Sequence, residues 1–365
     1  MDTEPHKRFR AMLTPALFST DALVLYAKAQ EKICRKYMQK FTAQNKGKAF
    51  DVRIAFRSMA AAASQESFLG PYLNDDLREQ LELDVLAFTN GFLCFPFPYF
   101  GTGLAKALAA KERVEKTVFG MLPKARKYIQ DGNKPRCLLE LWAASLLEVA
   151  QSKGVEPQDL EGCSDPDLAT ATMDFLFASQ DATNSALTYA VDVLATRPDV
   201  VAKIRAETAV ATKQVGDMVH DPDELKYTCQ AATQLLHHKP PVPMVPHLVL
   251  KDATLGKRFI RKGSIVIPAV ACAARVSGAS HEYKPEEQPD NMFVRNPVFG
   301  AGQHKCPGRR YAESLLSVFF AVFVNDYDFE RVGPRPGPDD IMYYPTLFPA
   351  QNMFLVTPRR AAKAE

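Results

Sequence analysis

Between Pro297 and Phe323 the chain reads PVFGAGQHKCPGRRYAESLLSVFFAVF, a lone cysteine among glycines and basic residues that runs unbroken into an apolar stretch. Gly300, Gly302 and Gly308 permit backbone conformations closed to other residues and a close approach to a flat ligand. The apolar spacing from Arg309 to Phe320 predicts a buried helix. Cys306 then stands at the N-terminal end of that helix, where the macrodipole and free N–H groups favour a thiolate. A thiolate so placed can bind iron; the alternative, and the commoner fate of a single cysteine, is an inert residue in a glycine turn.

The rest of the chain must bury that helix, and 365 residues at 47% hydrophobic and 24% charged suffice for a large core. A formal net charge of +3 gives no reason to expect a nucleic-acid partner. Cys34, Cys94, Cys137, Cys163, Cys229, Cys272 and Cys306 stand singly, without C-x-x-C pairs or zinc-type spacing, as in a reduced intracellular chain. The N-terminus is charged where a signal peptide is apolar, and no apolar run reaches the ~18 residues of a membrane span.

Helical periodicity predicts helices over Thr20 to Phe41, Glu66 to Phe88, Gly103 to Gln130, Pro135 to Lys153 and Pro166 to Thr196. HLVLKDATLGKRFIRKGSIVIPAV predicts short strands, followed by an irregular, Pro-rich piece from Lys284 to Pro297. The expectation is a mostly α fold with a small β part, a single domain over 1–365. Within MDFLFASQDATNSALTYAVDVL, Gln180, Asp181 and Thr183 sit mid-helix, either on a wet face or for chemistry.

Phe299, Gly302, Cys306, Gly308 and Ala312 fall at F-x-x-G-x-x-x-C-x-G-x-x-x-A, with His304 two residues before the cysteine. This resembles the haem-binding loop of cytochromes P450. The resemblance implies the P450 fold and haem b, with Cys306 as the axial ligand of its iron, Phe299 near the sulfur and His304 at a propionate. It also implies that ASQDAT lies in the family's oxygen-binding helix, written [AG]-G-x-[DE]-T-[TS]. Asp181 takes the acid position, and Ala182 occupies the usual threonine place. Proton delivery then falls to Asp181 with Gln180 and Thr183 beside it. His247, after MVP, resembles a further propionate partner. HKRFRAMLTPALFS resembles the helix whose H-x-x-x-R, here His6 and Arg10, clamps the propionates. On this likeness the chain starts within the family domain, and the fold is expected to be N-terminally incomplete, lacking the anchor, first strands and early helices.

One departure stands out. The family's E-x-x-R pair reads Gln234-Leu-Leu-His237, and the segment HEYKPEEQPDNMFVRNPVFG is short, without Pro-x-Arg-Phe. A Glu/Arg ion pair is thereby exchanged for neutral hydrogen bonds or a weakly charged pair.

FASQDAT, KPPVPMVPH and YYPTLFPAQNMFLV resemble sterol C-22 desaturases of fungi, plants and algae, and NGFLCFPFPYFGTGLAKALAA resembles the loop and helix over their substrate entrance. The likeness implies a haem-thiolate oxidoreductase that desaturates a sterol side chain with dioxygen. Electrons would come from NADPH through NADPH–cytochrome P450 reductase, and the setting would be the endoplasmic reticulum membrane surface. Phe95, Phe97, Tyr99 and Phe100 would dip into that surface, line a sterol channel, or pack in the core. Three other readings stay open: a P450 of another lipophilic substrate, a degenerate non-catalytic P450 remnant with or without haem, and a non-haem helical interaction protein.

Overall fold

Caps and glycine or proline breaks set the helix boundaries. The structure, a computed structural model, describes residues 7, 10, 11, 14, 17 and 19–359, apart from 161, 211–213, 222–223, 271–282, 287–296 and 338–339. Its helices are α1 (Thr20–Asn45), α2 (Val52–Phe68), α3 (Asp75–Asn90), α4 (Gly103–Phe119), α5 (Leu122–Gln130), α6 (Leu138–Lys153), α7 (Asp165–Leu194), α8 (Pro198–Ala209), α9 (Val215–Met218), α10 (Lys226–His238) and α11 (Arg309–Asp326). Ser19 caps α1 by accepting from the Ala22 N–H, and Asn74 caps α3 through Leu77. Ser164 and Asp167 form a reciprocal capping box at the start of α7, where Asp165 also pairs with Arg126.

Two predicted helices are divided in the structure. Gly70 and Pro71 break the one expected over Glu66 to Phe88, so that α2 ends at Phe68 and α3 begins at Asp75. The α2 segment is buried on most of its circumference, which erases the amphipathic period that would announce it. Gly120 divides Gly103 to Gln130 into α4 and α5.

The second half of α7 is buried on all sides, from Thr183 through Leu194. It packs against α2, α4 and α11. Phe56 of α2 meets Phe319 of α11 edge-on at 5.2 Å between centroids, and Phe319 stacks on Phe323 at 4.8 Å. Burying each such ring contributes about 2–3 kcal/mol. Tyr26, Phe68 and Tyr311 tie α1 and α2 to the start of α11. The helix after Cys306 is therefore the buried element its sequence predicts.

The strands are β1 (Phe50–Asp51), β2 (His247–Leu248), β3 (Ala253–Leu255), β4 (Arg258–Ile260), β5 (Ile265–Val266), β6 (Tyr327–Arg331), β7 (Ile341–Tyr343), β8 (Leu347–Pro349) and β9 (Met353–Pro358). An antiparallel sheet of order β1-β9-β6 closes the C-terminal end, with Phe50 and Arg331 both opposite Phe354. The predicted β stretch forms a long hairpin from β2–β5 to β3–β4. The result is mostly helix with small sheets, as expected. Among the described residues no helix is long and apolar enough to cross a membrane.

Candidate functional site

Gly300 and Gly302 adopt φ of +69° and +71°, a region that costs a side chain roughly 1–2 kcal/mol. Nothing lies within 4 Å of where a Cβ would sit at either, so the loop is fixed by conformation and open on that side. The Cys306 N–H donates to the Phe299 carbonyl at 2.8 Å, and the Lys305 N–H to the Gly302 carbonyl at 3.2 Å. These two bonds hold Cys306 exposed at the end of the loop. Gly308 is the N-cap of α11, and the Ala312 N–H donates to its carbonyl.

The expected bias toward thiolate is outweighed. Desolvation raises the Cys306 thiol above its usual range, and the Gly308 N–H and Arg10 only partly oppose it. The residues fit an iron-bound flat cofactor: a single exposed sulfur, open space beside two left-handed glycines, and a cationic rim. Arg10 reaches the loop and donates to the Lys305 carbonyl at 2.7 Å. His304 lies on the same loop, exposed. His247 is exposed on β2, and its Nδ1–H donates to the Val245 carbonyl at 2.7 Å. His6 lies outside the described residues, as does most of the shortened segment before the loop.

Asp181 does not face water. It is buried with Gln180 and Thr183 in α7, and its carboxylate pairs with Arg57 of α2 at 3.2 Å. Desolvation raises its pKa above the usual carboxylate range, and the Arg57 charge and a Thr89 hydrogen bond only partly counter it. Gln180 Nε2 and Asp181 Oδ2 have no hydrogen-bond partner. Thr346, just before β8, donates to the Asp181 carbonyl at 3.2 Å, and the Tyr344 ring sits 5.9 Å from the Arg57 guanidinium. Arg57, Tyr344 and Thr346 thus join a site in which sequence reasoning placed none of them. The available signal was an arginine amid the Ala-rich run of α2. The contacts of Asp181 come from α2, α3 and the β7–β8 hairpin; the cysteine loop makes its own with Arg10.

Gln234 and His237 are buried on α10, one turn apart. Gln234 Oε1 and His237 Nδ1 lack partners, each at a cost of about 1–3 kcal/mol. Burial, with Arg309 nearby, depresses the His237 pKa to about 4, so the ring is neutral.

The fold is shared with the structure of retinoic acid bound cyanobacterial CYP120A1, with a TM-score of 0.77 at 19% identity, covering 96% of this chain and 78% of that one. The Cytochrome P450 family model matches residues 1–346, and the chain belongs to that haem-iron oxidoreductase family. Cytochrome P450 710A2 of Arabidopsis thaliana is 32% identical over 98% of this chain and 73% of its own length. Probable cytochrome P450 524A1 of Dictyostelium discoideum is 30% identical over 94% of this chain, which spans only 65% of that relative. C-22 sterol desaturase ERG5 of Saccharomyces cerevisiae is 27% identical over 99% of this chain and 70% of its own.

Proposed function

We propose that this chain is a haem-thiolate oxidoreductase of the sterol C-22 desaturase type, organised as one P450-like domain over 1–365. The observation that carries the haem assignment is the presentation of Cys306, exposed on a loop pinned by its own N–H between the left-handed glycines and α11. The substrate class rests on likeness to relatives named C-22 sterol desaturases. Cys306 would ligate the iron of haem b. Phe299, Gly300, Gly302, Gly308 and Ala312 would shape the loop beneath the ring, and His304, Arg10, His247 and His6 would meet the propionates. Haem so bound would supply dioxygen activation with electrons from NADPH through NADPH–cytochrome P450 reductase.

The chain's own contribution would be proton supply and access. Asp181 would pass protons, with Gln180 and Thr183 beside it and Arg57 setting its charge state. The aromatic loop between α3 and α4 exposes Phe95, Phe97, Tyr99 and Phe100 and would admit a lipophilic substrate from the endoplasmic reticulum membrane surface. The test is turnover of a sterol saturated at C22 by haem-loaded protein with reductase and NADPH, with Cys306→Ser as control. Loss of two hydrogens from the side chain is expected. A loaded protein that oxidises other lipophiles and leaves the sterol untouched would refute the substrate.

A second reading, a remnant without turnover, is favoured by the unpartnered Gln234 and His237. It predicts that haem retention rises in Gln234→Glu/His237→Arg, where an ion pair one helical turn apart is restored.

A further inference from the structure

Arg57, in the Ala-rich run of α2, has few means of holding itself against Asp181. Its Nη2 lies 3.2 Å from Asp181 Oδ1, yet neither Arg57 Nη2 nor Asp181 Oδ2 takes part in an aligned hydrogen bond. Such a contact attracts without orienting, unlike the two parallel bonds that a guanidinium and a carboxylate form at their best. The other group that engages the guanidinium among the described residues is the half-buried Tyr344 ring, whose centroid is 5.9 Å away and within reach of a cation–ring attraction.

Tyr344 is itself fixed from several sides. Its N–H donates to the Thr346 carbonyl at 2.8 Å, which closes a tight turn around Pro345 between β7 and β8. The turn is fastened to α7 at two points one helical turn apart: Thr346 Oγ1 donates to the Asp181 carbonyl at 3.2 Å, and Ser185 Oγ donates to the Leu347 carbonyl. The Leu347 N–H donates to the Pro241 carbonyl at 2.9 Å and ties the same turn to the chain after α10. At the far end of the ring, the Tyr344 hydroxyl donates to Oδ1 of Asn90, the last residue of α3. The ring is thus held at its backbone by α7 and at its hydroxyl by α3, with the Arg57–Asp181 pair beside it.

The groups facing Asp181 come from three elements. Helix α2 brings Arg57, α3 brings the uncharged Thr89, and the β7–β8 turn brings Thr346 and, through Arg57, Tyr344. On α4, Lys111 and Glu115 act on Asp174, earlier on α7. Helices α8, α10 and α11 also pack on α7, and none of their described charges acts on Asp181. Arg57 is the one charge that offsets the desolvation of this carboxyl among the described residues, so where the guanidinium sits decides how much is offset.

We infer that Tyr344 is a positioning residue for Asp181: anchored by Asn90 and by the turn fastened to α7, its ring holds the Arg57 guanidinium at the carboxylate. This deepens the proton-supply part of the proposed function and rests on it only for the use made of Asp181; the test reads the carboxyl itself, without haem or turnover, so the two fail separately. The experiment is a pH titration of the full chain followed by the infrared absorption of protonated carboxyl groups, each variant's spectrum being reduced by that of the same variant carrying Asp181→Asn. Tyr344→Leu is expected to raise the proton affinity of the Asp181 carboxyl by about tenfold, the worth of a desolvated cation–ring contact. Tyr344→Phe keeps the ring and loses its anchor on Asn90, and it should give a smaller rise of the same sign. In an Arg57→Met background Tyr344→Leu should add nothing, because the ring acts through the guanidinium; a general loosening of the fold would not be silenced in this way. Asn90 is exposed, so Asn90→Ala releases the same anchor without touching the core and carries the test if Tyr344→Leu does not fold. An Asp181 titration unaltered in Tyr344→Leu, or in Asn90→Ala where the former does not fold, would overturn the inference. So would a rise that persists undiminished once Arg57 is replaced.

Discussion

Replacing Arg57 by methionine keeps an unbranched side chain and removes the cation that pairs with Asp181 among the described residues. At 3.2 Å and an effective dielectric near 20, the attraction amounts to about 5 kcal/mol. Desolvation offsets part of it, and breaking a buried pair from one side costs about 3–5 kcal/mol while the remaining charge stays ionised. Asp181 has an escape, because its carboxyl is already raised by burial and rises further without Arg57. A carboxyl whose folded pKa exceeds its unfolded value costs nothing below the unfolded pKa; the cost grows as pH rises from the unfolded to the folded pKa and is constant above it. Urea unfolding of Arg57→Met against the unsubstituted protein should therefore give a deficit of about 3–5 kcal/mol near pH 8 and a much smaller one near pH 5. Adding Asp181→Asn should recover most of the loss at the higher pH. A deficit equal at both pH values and untouched by Asp181→Asn would refute the pairing as the source of the effect.

His237 works in the opposite sense: its folded pKa of about 4 lies below the unfolded value near 6.5, so the unfolded chain takes up the proton first. Stability is expected to fall by about 3 kcal/mol as pH drops from about 6.5 to about 4, and His237→Phe should remove that component of a pH series of urea melts. Phe319→Ala should cost about 3–5 kcal/mol by calorimetry, since its fully buried ring packs against both Phe56 and Phe323. Gly302→Ala, which meets open space at φ +71°, should cost only roughly 1–2 kcal/mol of strain in the same assay; a larger loss would mean that something unseen packs there. Asp181→Asn in haem-loaded protein should retain the carbon monoxide band and lose turnover by about a hundredfold.

The cysteine loop was the most legible part of the chain, because left-handed glycines and an adjacent buried helix leave direct marks in sequence. Gly300 and Gly302 take left-handed conformations that only glycine adopts freely, and Arg10, nearly 300 residues away, meets the loop at Lys305. The burial of Asp181 could not be read from α7 alone. Both a wet face and a buried ion pair fit a polar residue mid-helix, and the choice is made by Arg57 on another helix. Helix α2 was passed over for a related reason: an element buried almost all round has no polar face to set its period. The C-terminal sheet β1-β9-β6 depends on Phe50 pairing with Phe354, a long-range contact without local sequence signal. For the Cys306 thiol the helix-end argument gives the Gly308 N–H, which favours the thiolate, and the opposing desolvation had no mark in the sequence.

The central claim is that Cys306 holds haem iron as a thiolate, and the carbon monoxide difference spectrum of the dithionite-reduced protein tests it most directly. Protein expressed with haem precursor should give a red-shifted Soret band that Cys306→Ser abolishes. Bound haem with only the blue-shifted band, or a red-shifted band that persists in Cys306→Ser, would contradict it.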